Sequence, residues 1–245
     1  MNDWTSDYDF LSFPVFKPTD ISNNVLWLKA DRGITLNGSD VSDWADQSSE
    51  GNDASNSTAS EQPAYSSSDS SLGNKPSVQF VGSTENLLAA FANATTQPFM
   101  AFVSFYQGGA SGGSFGKVFH TPTAASLVQI FHNDFDNNIN IESPTTISTA
   151  SNSYSEPYGK LIVSALYDNT NGEIWGDGVS KVTGTVGTNV IATNGIYVGN
   201  RQDKARVLNG GVHEIVMYDK SLSTAEHNTL GQYMASEVGL TWTDI

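Results

Sequence analysis

The chain has no cysteine. Disulfides, thiolate metal sites and a Cys nucleophile are therefore excluded, and a fold of 245 residues must be held by its core alone. Basic residues are scarce. Eleven Lys and Arg stand against 26 Asp and Glu, for a formal net charge of −15. Such a surface repels phosphate backbones and anionic membranes, so nucleic acid is not an expected partner. It suits solubility, cation binding or a basic protein partner. No segment approaches the ~20 apolar residues of a membrane span, so membrane insertion is not expected. The opening "MNDWTSDYDFLSFPVFKPTD" lacks a basic n-region and an uninterrupted apolar stretch, so no signal peptide is expected and synthesis should be cytoplasmic. No phosphate loop is found either: "GGASGGSFG" has no Lys-Ser/Thr after it.

What is present reads as strands and turns. Hydrophobic residues make up 38%, enough for a sizeable core, while charged residues make up only 15%. Ser, Thr, Asn and Gly supply most of the polarity, as many turns and solvated strand faces require. From Val25 onward short apolar or alternating segments recur: "VLWLKAD", "KPSVQFVG", "FMAFVSFYQG", "SLVQIFHND", "NNINIES", "GKLIVSALYD", "GEIWGDGV", "GIYVGN" and "GGVHEIVMYD". "SLVQIFHND" with "NNINIES", and "GKLIVSALYD" with "GEIWGDGV", are expected hairpins. Residues 45–74 are dominated by Ser, Asn, Asp and Gly and are expected to be a long surface loop. The spacing predicts an all-β, two-sheet antiparallel sandwich over residues 25–240, with Phe80, Phe102, Val103, Phe105, Ile162, Val163, Ile215 and Val216 buried. In "VHEIVMY" both alternate sets contain apolar residues, so both faces of that strand should be covered.

One helix is expected, near residues 223–237. Ser223 stands three residues before Glu226, the pattern of a capping box. Leu230, Tyr233, Met234 and Val238 form a helical stripe, and Gly239 is placed to end it.

Residues 1–24 differ from the 25–245 domain. Trp4, Tyr8, Phe10, Phe13 and Phe16 are spread among Asp, Ser and prolines with neither helical nor strand spacing. Two readings stand. The segment is an arm packed on its own domain, or it docks on a partner through its aromatics.

Candidate chemistry is sparse. Glu173 and Asp177 are the closest approach to a paired-carboxylate strand, but their glycines fit a hairpin turn, so no catalytic residue is assigned. His120, His132, His213 and His227 form no HExxH or triad pattern. Asp134, Asp136 and Asn138 have the spacing of half a calcium loop, with Ile139 where Gly would stand and no completing Glu. Asp168 and Asn169 are a second such turn. Asx turns account for both stretches. Trp44 is expected in the core, and Asp46 should accept backbone N–H groups of the turn after it.

The order of motifs resembles a family. "LWLKADRGI", "VSDWADQSSEGNDA", "KPSVQFVGSTENLL", "GEIWGDGVS…GIYVGN" and "EIVMYDKSLSTAEHNTLGQYMASEVGL" are similar to the laminin-G-like, concanavalin A-like domains of bacteria and phages over roughly residues 25–240. The resemblance implies a jelly-roll sandwich and a calcium ion at its rim. It does not imply one function, because lectins, hydrolases and structural proteins share this fold. The first expectation is a non-enzymatic virion-surface protein of a phage, a capsid decoration or tail component, made in the host cytoplasm. Its partners would be other virion proteins or further copies of itself, with surface polysaccharide as a further ligand. The alternative is a carbohydrate-binding module of an extracellular bacterial protein, with Trp175 or Tyr106 stacking on sugar rings.

Overall fold

The computed structural model describes residues 15–108, 115–122, 127–133, 138–148 and 159–245. Within these, the first half of the chain supplies β1 (Asn24–Lys29), β2 (Ile34–Asn37), β3 (Asp40–Trp44), β4 (Ala54–Ser55), β5 (Ala64–Asp69), β6 (Lys75–Phe80), β7 (Leu87–Ala89) and β8 (Phe99–Gln107). The second half supplies β9 (Phe115–His120), β10 (Gln129–Asn133), β11 (Asn138–Glu142), β12 (Thr146–Ser148), β13 (Lys160–Tyr167), β14 (Gly172–Gly176), β15 (Val179–Gly184), β16 (Ile196–Val198), β17 (Gly210–Tyr218) and one helix, α1 (Thr224–Val238).

All the strand pairings are antiparallel, and they form one large sheet that nearly closes into a barrel. It contains two runs. In the first, β17 lies between β8 and two shorter strands, β1 beside its later half and β6 beside its start; β13, β14 and β15 continue beyond β8. The second run is β2–β3–β4–β7–β16–β9–β10–β11–β12. The expected hairpins β10–β11 and β13–β14 are both present.

Strand periodicity sorts the side chains. Phe99, Ala101, Val103 and Phe105 of β8 join Leu161, Val163 and Ala165 of β13 and Ile215 and Met217 of β17 in the interior core. Val118, Phe119, Ile130, Ile139 and Ile141 enter the same core from the second run. The alternate residues of the first run, Trp27, Met100, Phe102, Ile162, Trp175, Val216 and Tyr218, face the other way into a second core. That core is closed by Leu230, Met234 and Val238 of α1, with Trp242 beyond it. Both faces of β17 are therefore covered, and the eight residues expected to be buried are all fully buried.

The helix is set by its ends. Ser223 Oγ accepts from the Glu226 N–H, and the Glu226 carboxylate accepts from the Ser223 N–H at 2.8 Å. Gly239 ends the helix at φ +66, in the left-handed region. Lys29 fastens it to β1, donating to Glu237 at 2.9 Å and to the Tyr233 hydroxyl at 3.0 Å.

One expectation is corrected. The stretch 45–74 is not all loop: Ala64–Asp69 is a strand paired with β6. Its sequence "AYSSSD" lacks apolar alternation because backbone pairing holds it, with the buried Asp69 carboxylate accepting from the Ser77 hydroxyl at 2.6 Å. The preceding turn behaves as read. Asp46 accepts the backbone N–H groups of Trp27, Ser48 and Asn52 at 2.8–2.9 Å, and Trp44 is fully buried.

Candidate ligand-binding face

The two runs differ on their outer faces. Helix α1 covers the first. The second run has no α-helix over it among the described residues, only the short 3-10 turn Ala59–Glu61 at one side, and register builds a polar surface there. Tyr197 of β16 lies opposite His120 of β9, His120 opposite Gln129 of β10, and Gln129 opposite Glu142 of β11. Paired residues in an antiparallel sheet share a face. The next row is Lys117, Phe131 and Asn140.

Beside this surface runs the segment 201–206. Buried Asn200 fixes both of its ends, because one oxygen, Oδ1, accepts the N–H of Arg201 at 2.8 Å and that of Arg206 at 2.9 Å. The Lys117 N–H then donates to the Arg206 carbonyl at 3.1 Å, which docks the segment on β9. A cavity of about 370 Å³ lies between them. Lys117, His120 and Gln129 are its buried members, and Arg201, Gln202 and Asp203 lie at its more open side. An adjoining cavity of about 550 Å³ shares Gln202 and is lined by Tyr197, Lys204, Asn56, Asn86 and Glu61 among others.

The electrostatics follow from burial. Burial pulls the Lys117 ammonium down to about 7; Glu142 opposes that shift, and Arg201 and Arg206 add to it. The ammonium lies 3.7 Å from the centre of the Phe131 ring. Burial, then Lys117 and Arg201, take His120 down to about 4, so its ring is neutral near pH 7. Two buried polar atoms here, His120 Nδ1 and Gln129 Oε1, have no hydrogen-bond partner among the described residues.

The residues singled out from the sequence lie elsewhere. Trp175 packs in the second core, edge-on to His227 at 4.6 Å between ring centres, and with Glu173 it lines a separate cavity of about 640 Å³. Tyr106 is half-buried beside the same core. Glu173 is in β14, and Asp177 sits in the β14–β15 turn at φ +50, its carboxylate accepting the Ile162 N–H at 2.9 Å. Asn138 is buried, with Oδ1 accepting from Asn140 at 2.8 Å; Asp134 and Asp136 lie outside the described residues. No group of three metal-ligating side chains is found among the described residues. Trp4, Tyr8, Phe10 and Phe13 also lie outside them. Phe16 packs edge-on to Tyr233 of the same chain at 5.5 Å.

Sequence reasoning passed over the site. Its one visible signal was "RQDKAR" directly after "GN", three basic residues in six in a chain poor in them.

No protein-family model and no curated relative matches the chain. Solved structures do match it. The botulinum neurotoxin serotype G binding domain aligns with a TM-score of 0.61 at 12% identity, over 87% of this chain and 52% of that one. Botulinum neurotoxin type C, a toxin that depends on interaction with two ganglioside molecules to enter cells, aligns at 0.58 and 12% identity, over 86% and 51%. The Trypanosoma rangeli sialidase in complex with sialic acid aligns at 0.52 and 13% identity, over 93% and 36%. The chain thus spans about half of the toxin chains and about a third of the sialidase chain. At these identities the likeness is one of fold.

Proposed function

We propose that this chain is a non-enzymatic carbohydrate-binding module of the laminin-G-like, concanavalin A-like kind, a two-sheet jelly roll whose uncovered face receives the sugar. One observation carries the reading: α1 seals the outer face of the first run, while that of the second holds two adjoining cavities lined by polar side chains, with Tyr197 at the larger of them. A cleft with a ring and a few fixed polar groups suits a sugar, whose apolar face stacks while its hydroxyls hydrogen-bond. The ganglioside-dependent toxin and the sialidase solved with sialic acid support the same reading.

Hydrolysis is not part of the proposal. A glycosidase needs two accessible carboxyl groups flanking the bond, one held protonated. On this face Glu142 accepts from Gln129 at 2.5 Å, Glu61 pairs with Lys204, and Asp203 pairs with Arg201. Glu214 is a carboxyl raised to about 7, but it is fully buried beneath α1.

The place of action proposed is a phage virion surface, with an extracellular bacterial protein as the alternative. The acidic charge and the aromatics of residues 4–16 support the first: one keeps copies apart, and the others offer anchors to virion proteins or a second copy. Capsid, portal or tail genes beside its own favour the virion; polysaccharide-degradation genes favour the alternative. Calcium held by Asp134, Asp136 and Asn138 stays within the proposal. The binding function itself is tested on a glycan array, where the wild type should give signals that Tyr197→Ala loses. An array silent for the folded wild type overturns it.

A further inference from the structure

This face gathers cations in a chain poor in them, set among the carboxylates of Glu142, Glu61 and Asp203. The chain carries 11 Lys and Arg and a net charge of −15. Four of the eleven, Lys117, Arg201, Lys204 and Arg206, come from one strand and the segment beside it. They are not equivalent. Lys204 is paired with Glu61 and Arg201 with the more exposed Asp203. Lys117 is 6% exposed, lines the 370 Å³ cavity, and has no carboxylate within ion-pair distance among the described residues. Burying a cation without a partner is costly, and proteins normally supply an anion. Here the nearest supports are the rings of Phe131 and Phe115, at 3.7 and 5.9 Å. A second observation belongs to the same cavity: buried His120 and Gln129 line it, each with an unpaired polar atom, of which His120 Nδ1 can donate in the matching tautomer while the Gln129 oxygen can accept only from a sugar hydroxyl.

We propose that this cavity takes one carboxylate or sulfate group carried on a sugar, so that the ligand of this face is an acidic saccharide. The inference rests on the glycan-binding reading. The anion would sit against the Lys117 ammonium at the buried end, with the Arg201 guanidinium reaching it from the open side. Neutral His120 offers one ring nitrogen as a donor to the same oxygens in the matching tautomer. The saccharide then continues past Gln202 towards Tyr197. The negative surface elsewhere would repel the same ligand, which restricts binding to this cavity.

The pH dependence has a definite sign. The charged or titratable groups facing Lys117 are Glu142 from β11, Arg201 and Arg206 from the adjoining segment, and His120 and Asp203 around the cavity. With free Lys117 near 7, an anion at its ammonium raises its pKa and binding takes up a proton. Affinity is then full below pH 6 and falls as pH rises through 7, by about tenfold per unit until the bound form also titrates.

The test is calorimetric titration of the whole chain at pH 6 and pH 8. The probes are a sulfated disaccharide, a uronic-acid disaccharide, the neutral counterpart of each, and inorganic sulfate. The expected result is binding of at least one acidic sugar, at least tenfold tighter than its neutral counterpart and tighter at pH 6. Lys117→Met should remove both differences, and Arg201→Gln should weaken the acidic sugar alone. Thermal melting of both variants verifies that they fold. Equal binding of neutral and acidic sugars overturns the acidic specificity and leaves the glycan reading standing. Binding of inorganic sulfate as tightly as the sulfated sugar, an adventitious ion only, overturns it too. If no sugar binds at either pH, both readings fall.

Discussion

Trp27 Nε1 donates to Glu214 Oε1 across 2.6 Å, tying β1 to β17 beneath the helix. Tyr233 of α1 donates to the same oxygen at 3.0 Å. The other oxygen, Oε2, has no partner among the described residues.

Glu214 should therefore make stability fall with rising pH. Burial raises it to about 7 from an ordinary 4.5, so the folded state favours the protonated form. Its contribution is fully present below about pH 4.5 and is lost as pH rises through 7. The span corresponds to on the order of 3 kcal/mol. Glu214→Gln should flatten the stability profile between pH 5 and 8, measured by urea unfolding. An unchanged slope contradicts the assignment.

Glycine at position 231 should resist replacement although it lies within a helix. An added Cβ would lie 2.2 Å from the Trp242 ring, on which the C-terminal segment closes. Gly231→Ala gains helix propensity of about 1 kcal/mol. Displacing the tryptophan, which is 7% exposed, costs more, about 2 kcal/mol net by large-to-small packing values. A lower melting temperature with red-shifted tryptophan emission is expected. A more stable variant would show that Trp242 yields freely.

The cap of α1 should weaken in acid. Hydrogen bonds from Lys220 and the Ser223 N–H hold the Glu226 carboxyl down to about 2. A depressed carboxyl contributes stability above about pH 4.5, and this is lost as pH falls towards 2. The pair is partly exposed, so the pH-dependent share is small. Ser223→Ala should cost about 1 kcal/mol at neutral pH in the same unfolding assay. No change would mean that packing alone holds the helix end.

Tyr197→Ala should separate binding from folding. The ring is only half-buried, at the second cavity. Loss of a stacked sugar should weaken binding about tenfold, or ~1.4 kcal/mol. Melting should shift little. Undiminished binding to a glycan that the wild type recognises would move the ligand off this surface.

Local rules carried much of the fold. Ser223, Glu226 and Gly239 fix the helix within a few residues of themselves, because capping is a short-range hydrogen-bond problem. The nearly continuous apolar run in "FMAFVSFYQG" marks a strand covered on both faces. The segment Ala64–Asp69 was not legible, since its polar residues become a strand only because β6 offers a backbone edge.

The ligand face shows the same division more sharply. By itself the sequence determined an acidic, cysteine-free, all-β chain with one helix, and it held "RQDKAR" in plain view. Trp175 looked like a sugar platform because a tryptophan on a strand has two faces to choose from. Register and the helix turned it towards α1, where it is 7% exposed at the edge of another cavity. Conversely, Lys117 and His120 of β9, Gln129 of β10 and Tyr197 of β16 belong to three strands, and Tyr197 lies far along the chain from the others. Only cross-strand pairing sets them side by side, and only Asn200 turns Arg201 and Arg206 onto β9. Pairing between distant strands depends on the packing of the whole core, so the site was decided there and not in any one segment.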